Sequence, residues 1–281
     1  MVEVREWSRS DTARFLRAPS DDDDKYARGV VALRTGSIAY PGAAVLGVEA
    51  AWRSGAGFVR FAGPSRVADA VLARRPETVA GPDAGGSRVD AWVIGSGTDP
   101  DARSAEEAEA LTGILAGSAP VVVDAGALDL AAGARERGPR APIVVTPHAR
   151  EFAKLRDRLG VRPSNDRAEA ATGVAAALDG TVLFKGARTL VADPGGAVIA
   201  VEAGTGWLAT AGTGDVLAGV LGAMLAANPG APLAEVAAAG AWLHGHAGRI
   251  ASGVHDGGTG HPIVALDVAD ALPLAIADVL A

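Results

Sequence analysis

A glycine-rich turn and one carboxylate precede an apolar helical stretch at residues 212–227. The residues GTGDVLAGVLGAMLAA begin there, so Gly212, Thr213 and Gly214 can expose backbone N–H groups where the helix starts. Such N–H groups and the helix dipole favour a bound phosphate. Asp215 would repel that anion unless it acts on another group, such as a substrate hydroxyl whose proton must leave. The combination predicts phosphoryl transfer to an alcohol, and the alternative is that Asp215 only caps the helix.

Lys185 is a second candidate, because only three of the 26 Lys and Arg residues are lysines. It ends a predicted strand in VLFKGARTL and is followed by Gly186. Its side chain could bind a nucleotide phosphate, or it could extend into solvent from a hairpin. The Walker sequence G-x-x-x-x-G-K-[ST] is absent, so the chain does not have a P-loop.

The elements around these residues alternate between short apolar strands and alanine-rich helices, which is typical of a mostly parallel sheet with helices on both faces. Strands are predicted at 29–36, 57–63, 90–97, 120–126, 142–148 and 181–186, followed by a hairpin of 188–193 and 197–204. Helices are predicted at 41–55, 64–75, 103–116, 149–160, 165–178, 213–227, 232–252 and 265–280. Ligands bind at the carboxyl ends of strands in such folds. We therefore predict a single-domain α/β protein in which the glycines at 95, 97, 186 and 214 converge on one edge of the sheet.

Composition excludes several classes of protein. The net charge of −7 argues against sequence-independent binding to nucleic acid, which needs a basic surface. The absence of cysteine excludes disulfides and thiolate metal sites. No run of about 18 apolar residues indicates a membrane span, and the charged amino terminus does not resemble a signal peptide. We expect a cytoplasmic globular protein that acts on a small molecule.

Taken together, these residues resemble the ADP- or ATP-dependent NAD(P)H-hydrate dehydratases of the ribokinase-like superfamily. The resemblance covers about residues 25–280 and rests on several segments in the family's order: KYARGVVALRTGSIAYPGAA, GAGFV, VIGSG, VVDAGAL, TPHAREFAKL, LFKGARTLVAD, GTGWLATAGTGDVLAGVLGAML and WLHGHAGRIA. It implies a ribokinase-like domain at 25–281 after an N-terminal segment at 1–24.

The resemblance implies a metabolite-repair reaction. A nucleotide, ADP or ATP, phosphorylates the added hydroxyl of hydrated NADH or NADPH, and loss of phosphate restores the reduced dinucleotide. Asp215 would accept the hydroxyl proton as catalytic base. The residues implied to contact the hydrate are Ala43, Gly97, His148 and Asp215. Those implied to bind the nucleotide are Lys185, Gly186, Ala187, Arg188, Thr189, Gly212, Thr213 and Gly214. Mg²⁺ would neutralise the phosphates, although no carboxylate is identified as its ligand. His148 could instead be a structural polar residue at a strand end.

The sequence departs from the family pattern at several positions. Gly126 stands where a second aspartate is common, and this loss of a charge puts substrate affinity or activity in question. Ala149-Arg150 replace Pro-Gly, GTGW at 204–207 replaces Gly-Asn-Pro-Gly, and Ala211 replaces a glycine. His244 and His246 in LHGHAG are two residues apart on a helix, so they do not predict a metal site.

Two other functions compete with the dehydratase. A ribokinase-like kinase of a thiazole or pyrimidine alcohol would share AGTGD, and a non-catalytic nucleotide-binding protein would tolerate the departures from the family pattern.

Many family members carry an epimerase domain before the dehydratase. Only some 25 residues precede the resemblance here, so we expect a separate epimerase, and we also expect a homo-oligomer. The residues do not decide whether ADP or ATP is the phosphoryl donor, or whether NADH hydrate or NADPH hydrate is the preferred substrate.

Overall fold

A ten-stranded sheet runs through the computed structural model, which describes residues 2–134, 141–254 and 258–281. The strands in chain order are β1 (Val4–Glu6), β2 (Val30–Arg34), β3 (Phe58–Ala62), β4 (Val79–Gly81), β5 (Ala91–Ile94), β6 (Val121–Val123), β7 (Ile143–Val145), β8 (Thr181–Phe184), β9 (Thr189–Ala192) and β10 (Val198–Val201). Their order across the sheet is β1-β10-β9-β8-β7-β6-β5-β2-β3-β4. The run from β8 to β4 is parallel, whereas β9 is antiparallel to both of its neighbours. The predicted mostly parallel sheet is confirmed.

Helices cover both faces of this sheet. In chain order they are α1 (Arg9–Ala13), α2 (Pro41–Arg53), α3 (Ser65–Arg74), α4 (Ala105–Leu115), α5 (Leu128–Ala134), α6 (Ala149–Arg158), α7 (Arg167–Leu178), α8 (Thr213–Ala227), α9 (Leu233–Ala251) and α10 (Ala265–Leu280). One hydrophobic core lies under α2, α3, α8, α9 and α10, and the other lies under α4 to α7. Successive strand residues alternate between the two cores: Val122 faces the first, and Val121 and Val123 face the second. None of the described helices is both long and apolar enough to cross a membrane.

The first turn of α8 is fixed by close packing that only glycine permits. Gly212 precedes the helix with φ 89°, and a Cβ there would lie 2.6 Å from Cδ1 of Leu46. Farther along, a Cβ on Gly219 would overlap the carbonyl oxygen of Gly47 on α2, and one on Gly222 would overlap Val93 on β5. Because α8 is apolar on all sides, it is buried between the sheet and α2, α9 and α10. Its amino end is thereby held at the carboxyl edge of the parallel strands.

The structure contains every predicted strand and helix, and α8 and α10 have the predicted bounds. It also contains β1, α1, β4 and α5, which the sequence did not predict. Within the predicted N-terminal segment, β1 pairs with β10, and Trp7 is buried against the core. The domain boundary at residue 25 stays a prediction.

Candidate functional site

The loops at the carboxyl edge of the parallel strands meet around the start of α8. Gly95 and Gly97 follow β5, and Gly186 follows β8. A Cβ on Gly95 would overlap the carbonyl oxygen of Asp124, and a Cβ on Gly214 would lie 3.6 Å from Nζ of Lys185. These strand-end glycines therefore lie along one edge of the sheet, which is where ligands bind in open α/β folds.

The Lys185 ammonium group lies inside this edge. Its Nζ donates to Asp124 Oδ1 at 3.0 Å and lies 3.9 Å from Glu151 Oε2. Burial alone would lower the pKa of Lys185, but the charges of Asp124 and Glu151 raise it above its usual value. Lys185 is thus a fixed cation, and it does not extend into solvent from a hairpin.

Asp124 holds Lys185 in place, and the sequence reasoning did not identify it as a site residue. It follows β6, is 3% exposed, and accepts hydrogen bonds from Ser96 Oγ at 2.9 Å and Thr146 Oγ1 at 2.7 Å. Its position at the end of the apolar run VVV is the feature that could have identified it, because an acid there lies at the ligand-binding edge.

Asp215 has the chemistry of a proton acceptor. Burial raises its pKa to about 6, the nearby negative charge of Asp124 adds to this, and the Lys185 charge offsets part of it. Within the described residues, no hydrogen bond reaches the Asp215 carboxylate, so it does not cap α8 through one. Its Oδ2 lies toward Gly212, at 3.9 Å from where a Cβ would be. The carboxylate is therefore free of hydrogen bonds from the described residues, and it can accept a proton near neutral pH.

A cavity of about 560 Å³, here called the α8 cavity, opens at the amino end of α8. Six residues predicted to bind the nucleotide line it: Lys185, Gly186, Ala187, Thr189, Thr213 and Gly214. The rest of its wall is mostly apolar and comes from β10, the loop at 203–209 and α9. A polar end at a helix terminus and an apolar remainder suit a nucleotide, whose phosphates and base differ in the same way.

The other predicted residues lie outside the wall of this cavity, except for His148. Arg188 pairs with Glu6 and with Glu202, the latter at 2.9 Å. Gly212, toward which the Asp215 carboxylate lies, packs against Leu46 and Ala265. Ala43 and Gly97 pack against each other at the end of β5, where a Cβ on Gly97 would overlap the Ala43 methyl group.

His148 lines the α8 cavity and also caps a helix. Its Nδ1 accepts hydrogen bonds from the backbone of Arg150 at 3.0 Å and Glu151 at 3.4 Å, at the start of α6. The Glu151 carboxylate in turn accepts from the His148 N–H at 2.9 Å. The side chain is about half exposed, at 52%. His148 thus has the structural role of capping α6, and its contact with the hydrate stays a prediction.

His244 on α9 also lines the cavity, and sequence reasoning considered it only as a metal ligand. Its Nε2 lies 3.0 Å from the carbonyl oxygen of Thr213, which can only accept, so Nε2 carries the proton. Burial, with a smaller contribution from the Lys185 charge, lowers the pKa of His244 to about 4, although the hydrogen bond to Thr213 opposes this shift. The imidazole is therefore neutral at physiological pH and holds the first turn of α8 in place.

Replacing His244 with alanine should destabilise the protein by about 2–3 kcal/mol, because the buried Thr213 carbonyl loses its donor and a cavity forms. His246→Ala on the same helix is the matched control, since it removes a half-buried pair with Asp278 at 2.7 Å. That change should cost under about 1 kcal/mol. Thermal unfolding of both variants measures the difference, and equal losses would contradict the role given to His244.

The departure at Gly126 has a local explanation. A Cβ there would overlap both the carbonyl oxygen and the hydroxyl of Thr98, so residue 126 has no room for a side chain. Arg103 donates to the Gly126 carbonyl and pairs with Asp129 at 2.8 Å. The turn after β6 is therefore built around a glycine at this position.

Comparisons with known proteins identify the family of this chain. A family model described as NAD(P)H-hydrate dehydratase matches residues 31–261. The bifunctional NAD(P)H-hydrate repair enzyme Nnr of Mycobacterium tuberculosis is 44% identical over 223 residues, which are 78% of this chain and 46% of that protein. The ADP-dependent (S)-NAD(P)H-hydrate dehydratase of Neisseria meningitidis is 35% identical over 251 residues, 84% of this chain and 81% of that one. This chain spans about half the length of the bifunctional relatives it matches.

A solved structure shares the whole fold. The ADP/ATP-dependent NAD(P)H-hydrate dehydratase from Bacillus subtilis, co-crystallised with ATP/Mg²⁺, superposes with a TM-score of 0.83 at 27% identity. The superposition covers 98% of this chain and 99% of that one. A ribokinase-like superfamily protein from Enterococcus faecalis superposes with a TM-score of 0.84 at 24% identity, over 98% of this chain and 96% of that one. This likeness confirms the ribokinase-like fold.

Proposed function

The chain belongs to the NAD(P)H-hydrate dehydratase family, and we propose on that premise that it is a carbon–oxygen lyase that restores hydrated NADH or NADPH at the expense of ADP or ATP. The observation that carries the proposal is the Asp215 carboxylate at the start of α8, which accepts no hydrogen bond from the described residues. It has a raised pKa and lies within the electrostatic influence of the Lys185 ammonium group. A general base and a phosphate-binding cation at one helix terminus are what phosphorylation of an alcohol requires.

In the proposed reaction, the nucleotide lies in the α8 cavity with its phosphates at Lys185 and at the N–H groups of the first turn of α8. Asp215 takes the proton of the hydrate hydroxyl while that oxygen attacks the terminal phosphoryl group, and the shortened nucleotide leaves. The phosphorylated oxygen then departs as inorganic phosphate, and loss of a ring proton restores the double bond of the reduced nicotinamide. Fixed dipoles aimed at the transferring group supply the stabilisation.

Magnesium fits this site as a companion of the nucleotide. The described residues contain no group of three or more His, Cys, Asp or Glu side chains that could hold a metal ion. Mg²⁺ is commonly held by one or two carboxylates together with substrate phosphates. Glu151 would take that part, because Asp124 is buried and already accepts three hydrogen bonds, and Asp215 is assigned as the base. When bound, the ion would neutralise phosphate charge.

The hydrate would lie on the α2 side of α8, beside Ala43 and Gly97. This assignment is supported by the direction of the Asp215 carboxylate, which points toward Gly212 and not into the α8 cavity. We propose further that residues 25–281 form the dehydratase domain and that an epimerase acts on the same metabolite, since relatives of twice the matched length are named as bifunctional. A homo-oligomer stays a prediction.

An assay with hydrated NADH and hydrated NADPH tests the proposed function. We expect the absorbance of the reduced nicotinamide to return, with one inorganic phosphate released for each dinucleotide restored. Parallel reactions with ADP and ATP identify the donor. A phosphate ester that accumulates would instead indicate a ribokinase-like kinase, and no reaction with either nucleotide would indicate a non-catalytic binding protein.

The fall of kcat/KM at acid pH should follow the protonation of Asp215. Only the ionised carboxylate accepts a proton, and burial together with the Asp124 charge raises its pKa to about 6. We therefore expect kcat/KM for the hydrate to rise about tenfold per pH unit below about pH 6 and to level off above about pH 7. Initial rates at saturating nucleotide measure this dependence. A profile that stays flat down to about pH 4 would contradict the assignment of the base.

A further inference from the structure

A second cavity, of about 480 Å³, opens at the carboxyl ends of β2 and β5. This β2 cavity is lined by residues 34–40, by the loop after β5 and by residues 102–104. Two of its wall residues also contact the predicted hydrate region. The carbonyl oxygen of Tyr40 and Cα of Gly36 lie 3.1 Å and 3.2 Å from where a Cβ on Gly97 would be. The β2 cavity therefore adjoins the place proposed for the reacting end of the hydrate.

The wall of this cavity combines exposed apolar side chains with buried polar atoms that have no partner. Ile38 and Tyr40, which are 64% and 61% exposed, both line the cavity. Thr35 is 2% exposed and the Arg103 side chain 6%, yet the Thr35 hydroxyl and Arg103 Nε have no hydrogen-bond partner among the described residues. Thr35 and Arg103 both line the cavity, so polar groups and exposed apolar side chains share this wall, which suits a ligand that carries both kinds of surface.

The charges around the cavity are already paired or negative. Arg34 binds Glu107 through two of its nitrogens, with the shortest distance 2.6 Å, and donates to a backbone carbonyl at 2.9 Å. Arg103 is paired with Asp129. Glu107 and Asp99 also line the cavity. No guanidinium charge in this wall is left to balance an added phosphate, whereas the carboxylates can accept hydrogen bonds from hydroxyls.

We infer that the β2 cavity binds the adenosine half of the dinucleotide hydrate and selects a free ribose 2′-hydroxyl over a 2′-phosphate, so that NADH hydrate is preferred to NADPH hydrate. The inference rests on the proposed function. The adenine ring stacks on Tyr40, and Glu107 or Asp99 accepts hydrogen bonds from the ribose, as acidic residues do in sites that prefer NAD. A 2′-phosphate would meet these carboxylates and be repelled.

The test compares variants on three hydrates, those of NADH, NADPH and reduced nicotinamide mononucleotide, which lacks the adenosine half. For the unaltered protein, kcat/KM should be about tenfold higher for NADH hydrate than for NADPH hydrate. Y40A should raise KM for NADH hydrate about 5- to 100-fold, the worth of one stacked base, and far less for the mononucleotide hydrate. Y26A changes the other tyrosine, which lies before β2 and outside the cavity, and should alter neither value.

A charge variant tests the selectivity separately. E107Q frees the Arg34 guanidinium and removes a carboxylate, so it should shift the ratio of kcat/KM values toward NADPH hydrate by about tenfold or more. A melting temperature measured for each variant shows that it is folded.

The outcomes separate the two claims. If no hydrate is restored by the unaltered protein, the proposed function fails and the inference fails with it. If hydrates are restored but Y40A acts equally on the mononucleotide and dinucleotide forms, the proposed function stands and the adenosine site is overturned. If NADPH hydrate is the better substrate, or E107Q leaves the ratio unchanged, the selectivity is overturned.

Discussion

Turnover should fall by about 10²- to 10⁴-fold when Asp215 is replaced with asparagine, which is the usual contribution of a positioned general base. Asparagine keeps the size of the side chain but cannot accept the hydroxyl proton. Nucleotide affinity should persist or rise, because a negative charge near the phosphates is removed. Steady-state kinetics with hydrated NADH and a separate titration with nucleotide measure the two effects. Near-normal turnover would make Asp215 a structural residue and contradict the proposed mechanism.

The same variant should be more stable at neutral pH. A carboxyl group whose pKa is higher in the folded chain than in the unfolded chain costs stability as pH rises from the unfolded pKa through the folded one. For Asp215 that window runs from the ordinary value of 3.8 to about 6. We expect D215N to raise the free energy of unfolding by about 1–2 kcal/mol at about pH 7.5, and the gain should vanish near about pH 4.

Asp11→Asn is a matched control with opposite effects. Asp11 also lies in the first turn of a helix, but its pKa is lowered by hydrogen bonds from Ser8 and by Arg5, although burial opposes this shift. Its ionised form therefore stabilises the fold above its unfolded pKa. D11N should lower stability at neutral pH and leave turnover unchanged, whereas D215N should raise stability and lower turnover. An active-site carboxylate that destabilises the fold is the expected trade-off between stability and function.

The start of α8 could be predicted from sequence because its causes are local. Glycine at 212 supplies the positive φ, and an apolar run then continues the helix, so the helix bounds and the place of Asp215 followed from neighbouring residues. By contrast, β1 consists of VRE, whose residues are half-buried or exposed, and it pairs with β10, nearly 200 residues away in the sequence. A three-residue edge strand has no apolar alternation that a sequence could display.

The site depends on contacts between residues far apart in the chain. Asp124 and Lys185 are 61 residues apart, and they meet only because β6, β7 and β8 are neighbours in the sheet. Gly126 seemed to be a lost carboxylate, but its packing against Thr98 explains the glycine, and that contact depends on how two loops meet. The motifs thus identified which residue types lie at the carboxyl edge of the sheet. Which of these residues contact each other could be known only from the order of the strands.

Removing the Lys185 ammonium group with Lys185→Ala should weaken nucleotide binding by about 10- to 100-fold, which corresponds to the loss of a hydrogen bond to a charged group. The effect should exceed that on the hydrate, because the carboxylates of Asp124 and Glu151 would then face the phosphates without their shared cation. Lys154→Ala, on the exposed surface of α6, is the control and should change neither affinity.

A merely structural role for Lys185 would not alter the acid limb of the pH profile, whereas an electrostatic role at the site must do so. The Lys185 charge lowers the pKa of Asp215, so its removal should move that pKa upward from about 6. The pH at which kcat/KM reaches half its maximum should therefore rise in K185A and stay in place in K154A. Equal losses of affinity for nucleotide and hydrate, together with an unshifted profile, would remove Lys185 from the nucleotide site. An upward shift combined with a selective loss of nucleotide affinity would support the proposal that one ammonium group both binds the phosphates and keeps the base ionised at neutral pH.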